Sequence, residues 1–162
     1  IKLGMRRLAY VMRPLTASTV DGRIAGALTA MRLHELEIAR SFVHMGDPTD
    51  LKFVRGFTRA NRPDAVFCAS DHIAAQLLQS LNRLGIQVPR DLRLVGFDNV
   101  PFANLLTIPL TTMEQPCRDL AITAFNALQE RLADPALPAR TLMITPRLVV
   151  RESCGAYLGS KA

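Results

Sequence analysis

A short apolar run followed by a helix-spaced stripe recurs along this chain, and that alternation constrains its fold more than any other feature. The clearest instance is Ala65-Val66-Phe67-Cys68-Ala69, which reads as a buried strand. Ser70 then stands where a helix N-cap belongs, and Asp71 in the first turn suits the helix dipole. Ile73, Leu77, Leu81 and Leu84 follow at helical spacing, Leu78 widens the stripe, and Gly85 takes the stop position. The same reading predicts strands over residues 8–12, 41–45 and 92–97. It predicts helices over 20–33, with Ser18 or Thr19 as cap, and over 51–59, and it places His34 and His72 in helices. Beyond an irregular connection over 98–109 comes a short β-favouring stretch, Leu110-Thr111-Thr112-Met113. Pro116 suits the first position of a helix whose stripe is Ala121, Ala124, Phe125, Leu128 and Leu132. Residues 142–150 read as one or two terminal strands interrupted by Pro146.

Strands alternating with helices predict an α/β fold: a doubly wound, mostly parallel sheet in a three-layer α/β/α arrangement. The 162 residues suffice for one domain, which at this size buries roughly 70% of its unfolded surface. No apolar run approaches the ~18 residues that span a bilayer. The formal net charge is +6, and all but Lys2, Lys52 and Lys161 of the basic residues are arginine. These charges are scattered, with Arg6-Arg7 the one adjacent pair, so they read as a solvated surface and not as a nucleic-acid face. The odd count of three widely spaced cysteines fits a reducing compartment, and a cytoplasmic location is expected.

No Gly-x-Gly-x-x-Gly and no phosphate-binding Gly-Lys-Ser/Thr loop occurs, which argues against a dinucleotide enzyme or a nucleotide hydrolase. His34, His44 and His72 have no partner at metal-ligand spacing, so no metal and no cofactor is expected. No serine lies in a nucleophile elbow, and Cys68 reads as a core residue. In open sheets of this kind ligands gather at the carboxyl ends of the strands. Those ends place 13–23, 46–50, Ser70-Asp71 and Asp98-Asn99 on one edge. Arg23 offers a planar guanidinium suited to a diol, a carboxylate or a phosphate, and Asp98 offers an acceptor. Read alone, Asp98 serves equally as a loop cap and Arg23 as an exposed helix residue. At this level an enzyme and a binding module remain alternatives.

From Arg62 onward the sequence becomes specific. The segments Arg62-Pro63-Asp64-Ala65-Val66-Phe67-Cys68-Ala69-Ser70-Asp71-His72-Ile73-Ala74 and Leu84-Gly85-Ile86-Gln87-Val88-Pro89-Arg90-Asp91 come first. Leu94-Val95-Gly96-Phe97-Asp98-Asn99, Pro109-Leu110-Thr111-Thr112 and Leu148-Val149-Val150-Arg151-Glu152-Ser153-Cys154 follow in order. Together these resemble the effector-binding core of the LacI/GalR family of bacterial transcriptional regulators, more weakly over 36–61. The resemblance implies a periplasmic-binding-protein-like (type I) carboxyl-terminal lobe over 1–162, read as a fragment without the helix-turn-helix head. The helix region 115–140 would pack on a first lobe that the chain lacks.

By the same resemblance, Arg23, Asp98, Ser70, Asp71 and Asp47 match effector-contacting positions. Ser70 stands where asparagine is usual, and Pro48 replaces an aromatic residue. With no tryptophan in the chain, stacking on a sugar would fall to Phe97 or to the other lobe. Ala75, Leu78, Gln79, Phe102 and Leu106 match the dimer surface. The implied partners are a small metabolite, a sugar or sugar derivative, operator DNA through the head, and a second copy of the chain; no membrane is implied. The implied function is regulation and not catalysis. The alternative is a periplasmic sugar-binding protein feeding a transporter.

Overall fold

The computed structural model describes residues 1–14, 19–59 and 62–158. Six strands form one sheet in the order β2-β1-β3-β4-β5-β6. They are β1 (Leu8–Met12), β2 (Val43–Met45), β3 (Ala65–Cys68), β4 (Arg93–Asp98), β5 (Thr111–Glu114) and β6 (Arg147–Val149). β1 to β5 run parallel, and β6 pairs antiparallel with β5, Met113 opposite Leu148. The helices are α1 (Thr19–Leu33), α2 (Leu51–Arg59), α3 (Asp71–Arg83) and α4 (Cys117–Ala133). The doubly wound α/β fold expected from the alternation is therefore present.

The two faces of the sheet can be told apart from one strand. Side chains alternate along β4. A Cβ on Gly96 would meet the Asp71 carboxylate of α3 at 2.2 Å. The next side chain, Phe97, lies instead under the Arg23 guanidinium of α1. So α1 and α3 cover opposite faces. Between the layers Tyr10, Val11, Val66, Leu77, Leu81, Leu92, Leu94 and Leu110 are fully buried. Each such side chain contributes about 1.5–3 kcal/mol relative to exposure.

The caps behave as the residue types dictate. Ser70 has extended backbone and its Oγ accepts from the Ile73 N–H at 3.3 Å. Gly85 adopts φ +71° just past α3, where a side chain would be strained. Pro116 is the residue before α4 and not its first helical position.

Three further expectations are corrected. The strand expected over 41–45 is confined to Val43–Met45; the buried Phe42 just before it still accepts from the Tyr10 N–H at 2.8 Å through its carbonyl. The strands expected over 142–150 shrink to Arg147–Val149; the segment before Pro146, a residue without a backbone donor, stays unpaired. His34 sits in the turn after α1, not within it. On α4, whose apolar stripe is expected to lack its partner in this chain, no residue is buried, and Phe125, Leu128 and Leu132 are exposed. Ser18 lies outside the described residues, and Thr19 opens α1 as its first residue.

Candidate functional site

The carboxyl ends of the parallel strands converge on one edge, and the candidate residues stand there for reasons the chain makes explicit. β4 ends in a sharp departure from extended geometry: Asp98 has φ +121° and Asn99 φ +58°. Two consecutive non-glycine residues in this region carry strain, which the surroundings must hold in place. Asn99 Nδ2 donates to Glu114 at 3.2 Å, and Asn99 Oδ1 accepts from Arg151 at 2.7 Å. The next N–H, that of Val100, donates to Asp71 at 3.0 Å. The other Asp71 oxygen accepts from the Thr112 hydroxyl at 2.6 Å.

The Leu-Thr-Thr and Val-Arg-Glu-Ser segments supply the rest of this clamp. Arg151 donates to the Leu110 carbonyl at 2.7 Å, and the Ser153 hydroxyl both donates to the Leu94 carbonyl and accepts from the Thr111 N–H. Asp71, Thr111, Thr112 and Ser153 are buried, and each has its hydrogen bonds met. Burial pushes the Asp71 carboxyl above its ordinary value, with the Asp98 charge adding to the rise and the Thr112, Val100 and Asn99 donors opposing it.

Held at this kink, the half-buried Asp98 carboxylate faces the site edge and accepts from Gln115 Nε2 beyond β5. Arg23 reaches the same place from α1. Its guanidinium lies 3.6 Å from the centre of the Phe97 ring, and one N–H donates to the Ala69 carbonyl at 2.8 Å. Phe97 and Ala69 each immediately precede a candidate residue, Asp98 and Ser70, so Arg23 and Asp98 share one strand-end region. Beneath them the Tyr10 hydroxyl is buried with no hydrogen-bond partner among the described residues, and burial raises its pKa to about 12.

At the end of β2, Asp47 is exposed. Its Oδ1 accepts from the Thr49 N–H and hydroxyl, and from Arg13 at 3.0 Å. The Thr49 donors hold the Asp47 carboxyl below its ordinary value. The same Arg13 nitrogen donates to Gln76 of α3 at 3.0 Å.

The structure thus brings Arg23, Asp98 and the cap residue Ser70 to one edge, with Asp47 on a neighbouring loop. Asp71 differs from expectation: it turns away from the open edge into the Thr112 and Val100 donors, because Gly96 leaves it that space. Phe97 also differs. One face of its ring is already covered by Arg23, and the residue is buried, so it is not an open stacking platform. Sequence reasoning placed Arg13 on this edge without singling it out, and missed Gln115. Gln115 follows directly from its position after β5, since the parallel order points to it. Among the described residues no group of histidine, cysteine, aspartate and glutamate is placed to hold a metal. No helix among them is long and apolar enough to cross a membrane.

A second recess, of about 580 Å³, runs along α3 and the connection after β4. Ala75, Leu78, Gln79 and Leu106 line it, four of the five residues expected on a dimer surface, while Phe102 lies outside it, partly exposed.

Comparison with known proteins gives the geometry a context. The sequence model of the periplasmic binding protein-like domain matches residues 1–154. The HTH-type transcriptional repressor PurR of Escherichia coli O1:K1 / APEC is 34% identical over 157 residues, covering 94% of this chain and 46% of the repressor. A CelR transcriptional regulator solved as a cellobiose complex superposes with a TM-score of 0.84 at 26% identity, over 94% of this chain and 48% of that one. A LacI family regulator from Lactobacillus casei with bound sucrose gives 0.74 at 29% identity, over 94% and 58%. The chain spans about half the length of the curated relatives it matches. Relatives of this kind are transcriptional regulators, not the transporter-feeding proteins held as the alternative. The chain belongs to the periplasmic binding protein-like domain family, in the form of the LacI/GalR effector-binding domain.

Proposed function

We propose that this chain is the effector-binding and dimerisation part of a LacI-type transcriptional regulator. It binds a small metabolite, a sugar or sugar derivative, at the carboxyl edge of its sheet. The observation that carries this reading is the clamped kink at Asp98-Asn99 with Arg23 seated beside it. A carboxylate held out of relaxed geometry and a guanidinium braced on an aromatic ring form a preorganised acceptor–donor pair. Such a pair suits the hydroxyls of a polyol, and the sugars in the two structural relatives support that ligand class.

Ser70 and Asp47 flank the pair. Asp71 acts from behind as a positioning residue that fixes the backbone at Val100. Operator DNA would be bound by a helix-turn-helix outside these 162 residues, in a cytoplasmic regulator. Effector closure would shift the balance between DNA-binding arrangements by its differential affinity for them. The apolar side of α4 would be covered by the lobe that faces the effector from the other side, with region 115–140 as its docking segment. A second copy of the chain would pack along the α3 recess through Ala75, Leu78, Gln79 and Leu106, with Phe102 at its margin. The relatives are transcriptional repressors and regulators, and the chain takes the same regulatory role, without catalysis.

A thermal-shift screen of the full-length protein against sugars, sugar phosphates and nucleobases tests this reading. A ligand at about 100 times its dissociation constant is expected to add about 2.7 kcal/mol of stability. Arg23→Ala and Asp98→Ala are each expected to abolish that shift. A shift indifferent to both substitutions would remove these residues from the site.

A further inference from the structure

The opposite end of the sheet carries a cavity that the effector reading does not use. Arg7 precedes β1, Asp64 precedes β3 and Arg93 opens β4. With Arg62, Arg90 and Asp91 they line a recess of about 420 Å³ at the amino-terminal edge, away from Arg23 and Asp98.

Its charges do not balance. Four guanidinium groups face two carboxylates, and both carboxylates are already engaged. Asp64 Oδ2 accepts from the Arg6 and Arg7 N–H groups, each at 2.9 Å, and its Oδ1 accepts from Arg7 Nε and an Arg7 terminal nitrogen. Burial pushes the Asp64 carboxyl up, but the Arg7 and backbone donors outweigh it and leave it below its ordinary value. Asp91 Oδ2 accepts from the Gln87 N–H at 2.9 Å. Its Oδ1 lies 3.8 Å from Arg62 and 3.6 Å from Arg90, close enough to attract but beyond a good hydrogen bond. Arg62 also donates one N–H to the Asp91 carbonyl at 2.8 Å, while Arg93 Nε is buried beside Gly155. The recess therefore holds two more positive charges than its own carboxylates balance, with Arg62 and Arg90 presenting guanidinium N–H groups toward solvent.

We propose that this recess is a second ligand site, which takes the phosphate group of a small phosphorylated metabolite. A phosphate monoester dianion carries the two negative charges that the recess lacks. Its oxygens accept several N–H bonds at once, and guanidinium forks engage them in pairs. A lone carboxylate would supply half the charge. The volume leaves space beyond a bare phosphate, so an attached organic group would fit. The site stands apart from the effector edge, and it survives or fails independently of the proposed function.

The test is calorimetric titration of the full chain with glycerol phosphate and inorganic phosphate, at constant ionic strength set with chloride. Saturable binding is expected for both, tighter for the ester. Arg62→Ala and Arg90→Ala are each expected to weaken it about tenfold or more. Arg90→Lys, which keeps the charge but loses the fork, should recover part of the loss. Arg23→Ala, at the other edge, should leave the affinity unchanged. Arg7 is left intact because its bonds to Asp64 tie the starts of β1 and β3, and Arg93 because it lies within β4. Binding insensitive to both alanine substitutions would overturn the proposal, as would the absence of saturation by about 10 mM. Equal loss on Arg23→Ala would place the anion at the effector edge instead. Tight binding of an acidic peptide or a DNA duplex without any binding of the phosphates would make the patch a macromolecular contact and overturn the small-ligand reading.

Discussion

The end of β4 and the helix α4 solve opposite problems. Around the Asp98-Asn99 kink the polar groups of the clamp find partners within the chain: Asp71 with Thr112 and Val100, Ser153 with Leu94 and Thr111, Asn99 with Glu114 and Arg151. The Tyr10 hydroxyl, deeper under Arg23, is the exception there among the described residues. The clamp is self-sufficient, and its strain is held by local bonds. Along α4 nothing is buried, and Leu120, Ile122, Phe125, Leu128 and Leu132 all face outward. A helix of 17 residues with an unburied apolar stripe gains little from its own domain. The contrast separates a part that is complete by itself from a part shaped for something else to cover.

The sharpest way to break the self-sufficient region is at Gly96. A side chain there would meet Asp71 Oδ1 at 2.2 Å and Leu110 Cδ2 at 2.9 Å, so either the carboxylate leaves Thr112 or the core shifts. Gly96→Val is expected to cost about 3 kcal/mol, since it both overpacks the core and strands a buried carboxylate. The urea midpoint measures this. A loss under about 0.5 kcal/mol would mean that the clamp rearranges freely and is not what holds the kink.

Much of this was legible from the chain, for local reasons. The β3–α3 unit declares itself because Val66 and Cys68, the Ser70 cap and the Ile73-Leu77-Leu81 stripe all point the same way. The candidate pair Arg23 and Asp98 was reachable because strand order puts both near one edge. What the chain hid are facts about partners from other elements. That Asp71 turns inward depends on Gly96 and Thr112, which lie in β4 and β5. That Phe97 is covered depends on Arg23, more than seventy residues earlier. Even the role of Thr112 and Arg151 was visible only as a resemblance, since their bonds span about forty and fifty residues. The short β6 was overestimated because Leu142 and Met143 look like strand residues while having nothing to pair with.

A gentler probe uses the pH dependence of Asp71. Its carboxyl titrates above the ordinary value in the folded chain, so the folded state holds a proton that the unfolded state has released. That contribution is fully present below the ordinary carboxylate range and is lost as pH rises through the raised value. Asp47, Asp64, Asp91 and Glu114 are all held below their ordinary values and contribute in the opposite sense: their stabilisation appears above that range and fades toward acid. The difference between the parent chain and Asp71→Asn isolates the first term. Relative to the parent, the asparagine variant is expected to gain stability as pH rises from about 4 to 7, followed by urea midpoints across that range. A flat difference would mean that Asp71 is ionised at no cost and that the Thr112 and Val100 donors fully offset its burial.

The smallest expected effect lies on the other side of the comparison. Phe125→Asp and Leu128→Glu place charges on the α4 stripe, where a buried position would lose about 1.5–3 kcal/mol from the missing apolar burial alone. In this chain each is expected to change stability by less than about 0.5 kcal/mol, because both side chains are more than half exposed. In the full-length regulator the same substitutions are expected to cost several times more and to weaken effector binding, because there the stripe would be covered by the facing lobe. Equal effects in the two settings would erase the distinction. If both are small, α4 is an ordinary solvated helix whose apolar residues face water throughout. If both are large, α4 packs on its own sheet in solution, and the region that looks unfinished is as complete as the kink at Asp98.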